Sequence, residues 1–183
     1  MRLDRNSSFD DLKRLVAPQI PALRRYAHAL TRDRAAADDL VQDCLERAIS
    51  HWAQRHPDGD VRTWLFSILH NLAVNQMRQA ARRGRHESLE SADEVALAHP
   101  PTQESSLLQR DIVKALATLP EEQRSVLLLV SVEDLGYAEV ARALDIPLGT
   151  VMSRLARGRA RLRDAMNGGN VVRLDASVFR RSK

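Results

Sequence analysis

Residues 137–163 read YAEVARALDIPLGTVMSRLARGRARLR, and the pattern of this stretch decides the architecture of the second half of the chain. Val140, Ala141 and Leu144 recur at helical spacing and give a short helix one apolar face. Asp145-Ile146-Pro147 ends it, because proline lacks the N–H that a helix interior needs but suits a first turn. In the helix that follows, Val151 and Leu155 face inward, while Thr150, Ser153, Arg154 and Arg157 fall on exposed faces. Two helices joined this tightly make a helix-turn-helix, whose second member enters the major groove of DNA. There hydroxyls reach phosphates or bases, and arginine pairs with guanine or holds phosphate. An ordinary helical hairpin with a solvated basic face shows the same pattern, so the arginines alone do not decide.

The 183 residues have room for one ordinary domain or two small ones. Hydrophobic residues make up 44% and aromatic ones only 4%, so the cores are built from Leu, Val, Ala and Ile. The net charge of +4 is a weak pointer to a polyanionic partner, since 24 acidic residues sit among 28 basic ones. Cys44 is the only cysteine, which excludes an intrachain disulfide and a cysteine-built zinc site. Its apolar neighbours predict a buried, inert thiol. His28, His51, His56, His70, His86 and His99 are scattered, with no HExxH pattern, no glycine-rich phosphate loop and no GxSxG turn. No catalytic residue, metal or cofactor is expected. The start, MRLDRNSSFDDLKRL, lacks the apolar core of a signal peptide. No run approaches the roughly 20 apolar residues that span a membrane. The expectation is a soluble, cytoplasmic protein with no membrane insertion.

Helical periodicity runs through the rest of the chain and predicts an all-α fold of two small helical domains joined by a flexible linker. Leu12, Leu15, Val16 and Ile20 begin one apolar face, which Leu23, Tyr26, Ala27 and Leu30 continue after Pro21. A helix from Ala35 to about His51 carries a stripe of Leu40, Val41, Cys44, Leu45, Ala48 and Ile49. Asp38, Asp39, Gln42, Asp43, Glu46 and Arg47 are left largely outside. Gln54 to Asp60 reads as a loop with Pro57 and Gly59, and a third helix runs from about Val61 to Arg83. The first domain is placed at 10–85. Residues 86–106 are acidic and serine-bearing, are broken by Pro100-Pro101, and read as the linker. The second domain, 107–167, starts with Ile112, Leu116 and Leu119 and a helix opened by Pro120-Glu121-Glu122. A basic tail, 168–183, follows Gly168-Gly169.

Several runs, in this order and spacing, resemble the two-domain extracytoplasmic-function sigma factors of bacterial RNA polymerase, within the sigma-70 family. They are Ala37-Asp38-Asp39-Leu40-Val41-Gln42-Asp43, Arg62-Thr63-Trp64-Leu65-Phe66, His70-Asn71-Leu72-Ala73, Leu119-Pro120-Glu121-Glu122-Gln123-Arg124, Tyr137-Ala138-Glu139-Val140-Ala141 and Leu148-Gly149-Thr150-Val151-Met152-Ser153-Arg154. The likeness extends over roughly Leu12 to Met166. It implies that the polar helix face of Asp38, Asp39, Gln42, Asp43 and Arg47 docks on core RNA polymerase. It implies that Arg55, Arg62, Asn71, Arg78, Arg82 and Arg83 attend the melted −10 strand of promoter DNA, with Asn71 near a flipped base. It further implies that Thr150, Ser153, Arg154, Arg157 and Arg161 read the −35 duplex, and that an anti-sigma factor masks these surfaces. Trp64 is left between a core or wedge-supporting role and direct base stacking.

The chain departs from the family pattern in four places. Arg55-His56-Pro57 stands where Phe-Arg-Pro is frequent, Asn75 where Asp is common, Asp145 at the usual turn glycine, and Met152 where Lys or Arg is usual. The competing function is a helix-turn-helix regulator that binds its operator without core polymerase, which leaves the motifs of the first domain unexplained.

Overall fold

The computed structural model describes residues 5–55, 59–83 and 111–167, and every regular element among them is helical. They form two compact units, one within residues 1–93 and one within 94–183, with the helix Tyr137–Leu144 taken with the second, to which most of it belongs. The expected linker and tail lie outside the described residues, as do His56, Pro57 and the side chain of Arg83.

The first unit contains α1 (Arg5–Val16), α2 (Ile20–Thr31), α3 (Arg34–Ser50) and α4 (Val61–Arg83). One-turn 3-10 helices, Ala17–Gln19 and Trp52–Gln54, lie between α1 and α2 and between α3 and α4. Pro21 sits in the first turn of α2, where its missing N–H costs nothing. Arg32 ends that helix in the left-handed region, with φ of 58° and its N–H bonded to His28 O at 2.8 Å. Asp33 then caps α3 by accepting the Ala36 N–H at 3.0 Å. Asp60 does the same for α4, accepting from Thr63 N at 2.7 Å and from Thr63 Oγ1 at 2.6 Å.

The core of this unit is made where α2, α3 and α4 pack together. Leu23, Tyr26, Ala27 and Leu30 meet Leu40, Val41, Cys44 and Ala48, and Leu65, Phe66, Leu69 and Ala73 close the third side. Each fully buried Leu or Phe contributes about 1.5–3 kcal/mol by leaving water. The Tyr26 ring meets Phe66 edge-on at 5.5 Å, and its hydroxyl bonds to His70 Nδ1 at 3.1 Å. Burial pushes the Cys44 thiol up to about 12, as expected of an inert position. Two expected core residues are not there. Leu15 is exposed, and Ile49 is 51% exposed. The buried stripe of α3 ends at Ala48, and the next residue turns about 100° further around the helix, out of the packed sector.

The second unit holds α5 (described over 111–117), α6 (Glu121–Ser131), α7 (Tyr137–Leu144) and α8 (Leu148–Asn167). In α6 the seven consecutive residues from Gln123 to Leu129 are all buried, so this helix is enclosed rather than amphipathic. Val140, Ala143 and Leu144 bury the inner face of α7, while Ala141 stays half-buried. Val151, Leu155, Gly158, Leu162 and Met166 bury that of α8. Asp145 makes the turn with φ of 52°, the left-handed geometry that Asp tolerates better than most residues. Gly158 lets α8 come close to α6, since a Cβ there would lie 3.3 Å from the Gln123 carbonyl oxygen.

Candidate nucleic-acid and docking surfaces

The outer surface of α8 is organised by its own hydrogen bonds. Ser153 Oγ donates to Thr150 O at 3.1 Å, and Arg157 donates to Ser153 O and Ser153 Oγ, both at 3.2 Å. Ser153, Arg157 and the backbone carbonyl of Thr150 are thereby joined into one polar strip. Arg154 does not belong to it. Its side chain is 25% exposed and its Nη2 lies 2.9 Å from Glu122 Oε2 of α6. Of the four residues expected on exposed faces, Ser153 and Arg157 are exposed, whereas Arg154 and Thr150 are half-buried. Arg154 sits between Val151 and Leu155, at the margin of the buried stripe, where it reaches the neighbouring helix. Arg161 is exposed further along, with Arg159 and Arg163. Leu148 and Met152 are exposed large apolar residues on the same helix.

In the first unit a cavity of about 440 Å³ opens between the end of α3, the Trp52–Gln54 turn and α4. Arg47, His51, Gln54, Arg55, Trp64, Ile68 and Asn71 line it. Trp64 packs edge-on against Trp52 at 6.0 Å, and the Arg55 guanidinium lies 4.8 Å from the Trp52 ring. Arg55 Nη1 also donates to Gly59 O at 2.8 Å, which holds the loop residue in place. His51 Nδ1 is 3.0 Å from Arg47 O. A carbonyl oxygen only accepts, so Nδ1 carries the proton. Trp64 is half-buried and also lines the cavity, so core support and contact with a bound group do not exclude each other.

The residues expected at the −10 strand are thus divided. Arg55 and Asn71 share the cavity. Arg62 is elsewhere, donating to Gln19 Oε1 at 3.1 Å with its guanidinium 5.6 Å from the Phe66 ring. Arg78 and Arg82 are exposed along the far half of α4. Arg47, expected on the docking face, lines the cavity as well. His51, Gln54 and Ile68 were not anticipated there. The one readable sign of them was the i, i+3 spacing of His51 with Gln54 and of Ile68 with Asn71, which places each pair on one helix face.

The outer face of α3 carries exposed Asp39, Gln42, Asp43 and Glu46, with Gln42 Nε2 donating to Glu46 Oε1 at 3.1 Å. Asp38 leans away and pairs with Arg24 of α2 at 3.3 Å. At the start of α4, partial burial works to raise the Asp60 carboxyl. The hydrogen bonds from Thr63 and the Arg62 backbone, with the Arg62 charge, outweigh it and hold the group below the usual carboxylate range.

Residues 16–70 match the family model described as the Sigma2 domain of PhyR, and residues 109–162 match Sigma-70, region 4. The extracytoplasmic-function RNA polymerase sigma factor EcfG of Rhodopseudomonas palustris is 33% identical over 153 residues, covering 84% of this chain and 83% of that protein. This chain belongs to the extracytoplasmic-function sigma factors. The sigma factor is similar in structure to RpoE from Bartonella quintana, solved with the anti-sigma factor NepR. That likeness has a TM-score of 0.75 and 31% identity, over 87% of this chain and 99% of that one. CnrH, solved with the cytosolic domain of CnrY, gives a TM-score of 0.65 and 25% identity over 87% and 89%. In the sigma factor described here, α6, α7 and α8 as far as residue 162 fall within the region 4 match, and α2 and α3 fall within the other. Among its described residues no helix is long and apolar enough to cross a membrane, and no group of three or more His, Cys, Asp or Glu is placed to hold a metal ion.

Proposed function

We propose that this sigma factor docks on core RNA polymerase in the cytoplasm and directs initiation by reading −35 duplex with one unit and capturing melted −10 DNA with the other. It catalyses nothing itself. The observation that carries this reading is the presence of two separate nucleic-acid-competent surfaces in one member of the family. One is the arginine-rich α8, with Thr150, Ser153, Arg157 and Arg161 as base and phosphate contacts and Arg154 beside them. The other is the cavity, where the Asn71 amide, the Arg55 guanidinium and the Trp64 indole surround a space suited to an unstacked base. Arg62, Arg78, Arg82 and Arg83 supply positive charge along α4 for the strand leading to it.

The docking face is Asp39, Gln42 and Asp43 on α3, with Asp38 and Arg47 at its edges. Ile49 adds an apolar contact that the polar face otherwise lacks, and exposed apolar anchors surrounded by polar groups dominate many interfaces. Residues 10–85 are the docking and −10 domain and 107–167 the −35 domain, with 86–106 as the connection. Control by an anti-sigma factor is supported by the likeness to a sigma factor solved in complex with one.

Transcription in vitro with purified core polymerase on a genomic fragment library, followed by start-site mapping, tests this function. Discrete start sites with a shared upstream element are expected only when both proteins are present. Tight sequence-specific duplex binding by the chain alone, with no initiation on adding core enzyme, would assign it instead to regulators that act without polymerase.

A further inference from the structure

The leading half of α8 carries a flank that its arginines do not explain. Met152 is 49% exposed and Leu148 44% exposed. They are four residues apart and therefore neighbours on the helix surface. Exposed Ala156 continues the same flank one turn on. Among the described residues the space beside Gly149 is open, since a Cβ added there would meet no atom within 4 Å. A single exposed apolar residue is ordinary, but this flank lies inside a frame of like charge. Arg154, Arg157, Arg159, Arg161 and Arg163 belong to the same helix, against one carboxylate, Asp164.

A surface of this kind fits a polyanion that itself displays apolar groups. The major groove of duplex DNA is such a partner: phosphates line its rims, and each thymine projects a C5 methyl group into it. An acidic amphipathic protein segment has the same two ingredients. However, the adjoining strip carries Ser153 and Arg157 with Arg161 exposed beyond them, hydroxyl and guanidinium groups of the kind that pair with base edges and phosphates, which favours the groove. We infer that Met152, backed by Leu148, reads a thymine of the −35 element through its C5 methyl group. Part of the promoter specificity is then apolar rather than hydrogen-bonded. The inference rests on α8 being the −35-binding helix.

The test uses the full chain with core polymerase and a promoter obtained by start-site mapping. Each −35 thymine is replaced in turn by deoxyuridine, which removes the methyl and nothing else, and affinities are compared for wild type, Met152→Ala and Arg157→Ala. At one position deoxyuridine should weaken wild-type binding about fourfold, the effect of withdrawing one methyl-sized group from water. The same replacement should have no further effect on Met152→Ala, while Arg157→Ala should still feel it in full. Deoxyuridine without effect at every position, or equal losses in wild type and Met152→Ala, would overturn the assignment. Met152→Ala that binds promoter like wild type but no longer binds a protein inhibitor would overturn it in favour of the protein segment. Should wild-type holoenzyme start nowhere, or Arg157→Ala keep full −35 dependence, the −35 reading of α8 itself fails, which is a separate result.

Discussion

The Arg154 guanidinium and the Glu122 carboxylate, thirty-two residues apart in the chain, meet at 2.9 Å and tie α8 to the first turn of α6. Arg157 instead bonds to Ser153 of its own helix. The two arginines therefore differ in what they support. Arg154→Ala should weaken −35 binding and also lower the stability of the second unit by roughly 0.2–1 kcal/mol, the range for a partly exposed ion pair. Arg157→Ala should weaken −35 binding with stability unchanged. Urea unfolding and duplex competition on both variants check this, and equal stability losses would remove the distinction.

The proposed docking face should separate stability from binding in the same way. Asp39, Gln42 and Asp43 are exposed, and changing all three to Ala should shift unfolding by no more than about 0.5 kcal/mol per site. Ile49→Ser should be similarly neutral to folding yet weaken core polymerase binding roughly tenfold, as the loss of an apolar anchor does. Asp38→Ala should act differently because it releases Arg24 on α2. Sedimentation or fluorescence titration with core enzyme measures the first effect, and thermal melting the second.

Asp60 makes a pH-dependent contribution whose sign follows from its environment. Its carboxyl is held below the usual range in the folded chain, so its stabilising effect is fully present above the ordinary aspartate value and is lost as pH falls through the lowered one. Asp60→Ala should cost about 0.5–2 kcal/mol at neutral pH through loss of the α4 cap. Asp60→Asn keeps acceptor oxygen for Thr63 and should flatten the acid limb of the stability curve. Unfolding of the three proteins between pH 7 and pH 3 tests this; a parallel acid loss in Asp60→Asn would contradict it.

Cys44 has the opposite dependence. Its thiol is raised by burial from an ordinary 9.0 to about 12, so folding favours the protonated form. That stability is whole below pH 9 and declines as pH climbs toward the folded value. The native protein should resist alkylation at pH 8 and react readily once unfolded in guanidinium, with mass spectrometry counting the adduct. Fast native labelling would place the thiol nearer the surface than described.

Much of this was legible beforehand, for identifiable reasons. The α4 bounds of Val61 and Arg83 came from an unbroken apolar period, and Asp145 in the turn followed from its tolerance of positive φ. The period misled at Ile49 because it marks a sector of the helix and cannot say how wide a sector the neighbours cover. It gave no sign that Gln123 and Arg124 are buried, since enclosure of this part of α6 depends on the other helices. The role of Arg154 was hidden for a related reason, its partner lying on a different helix. The cavity was only half visible: Asn71 and Arg55 were singled out, but His51 and Gln54 join them through the one-turn 3-10 helix after α3, which helical periodicity does not mark.

The close passage of α8 over α6 at Gly158 gives the second unit a fulcrum. Only 3.3 Å separates the place a Cβ would take from the Gln123 carbonyl, a backbone atom that cannot swing aside like a side-chain tip. One methyl group there would have to be absorbed by moving a whole helix by a few tenths of an ångström. The shift would be carried along a stiff rod to Arg157 directly beside the contact and to Ser153 and Met152 nearer the start of α8. On the proposed −35 reading, accuracy is partly a matter of mechanical alignment, set on the side of α8 that packs against α6. A variant such as Gly158→Ala would be expected to change which promoters are chosen before it changes whether the protein folds.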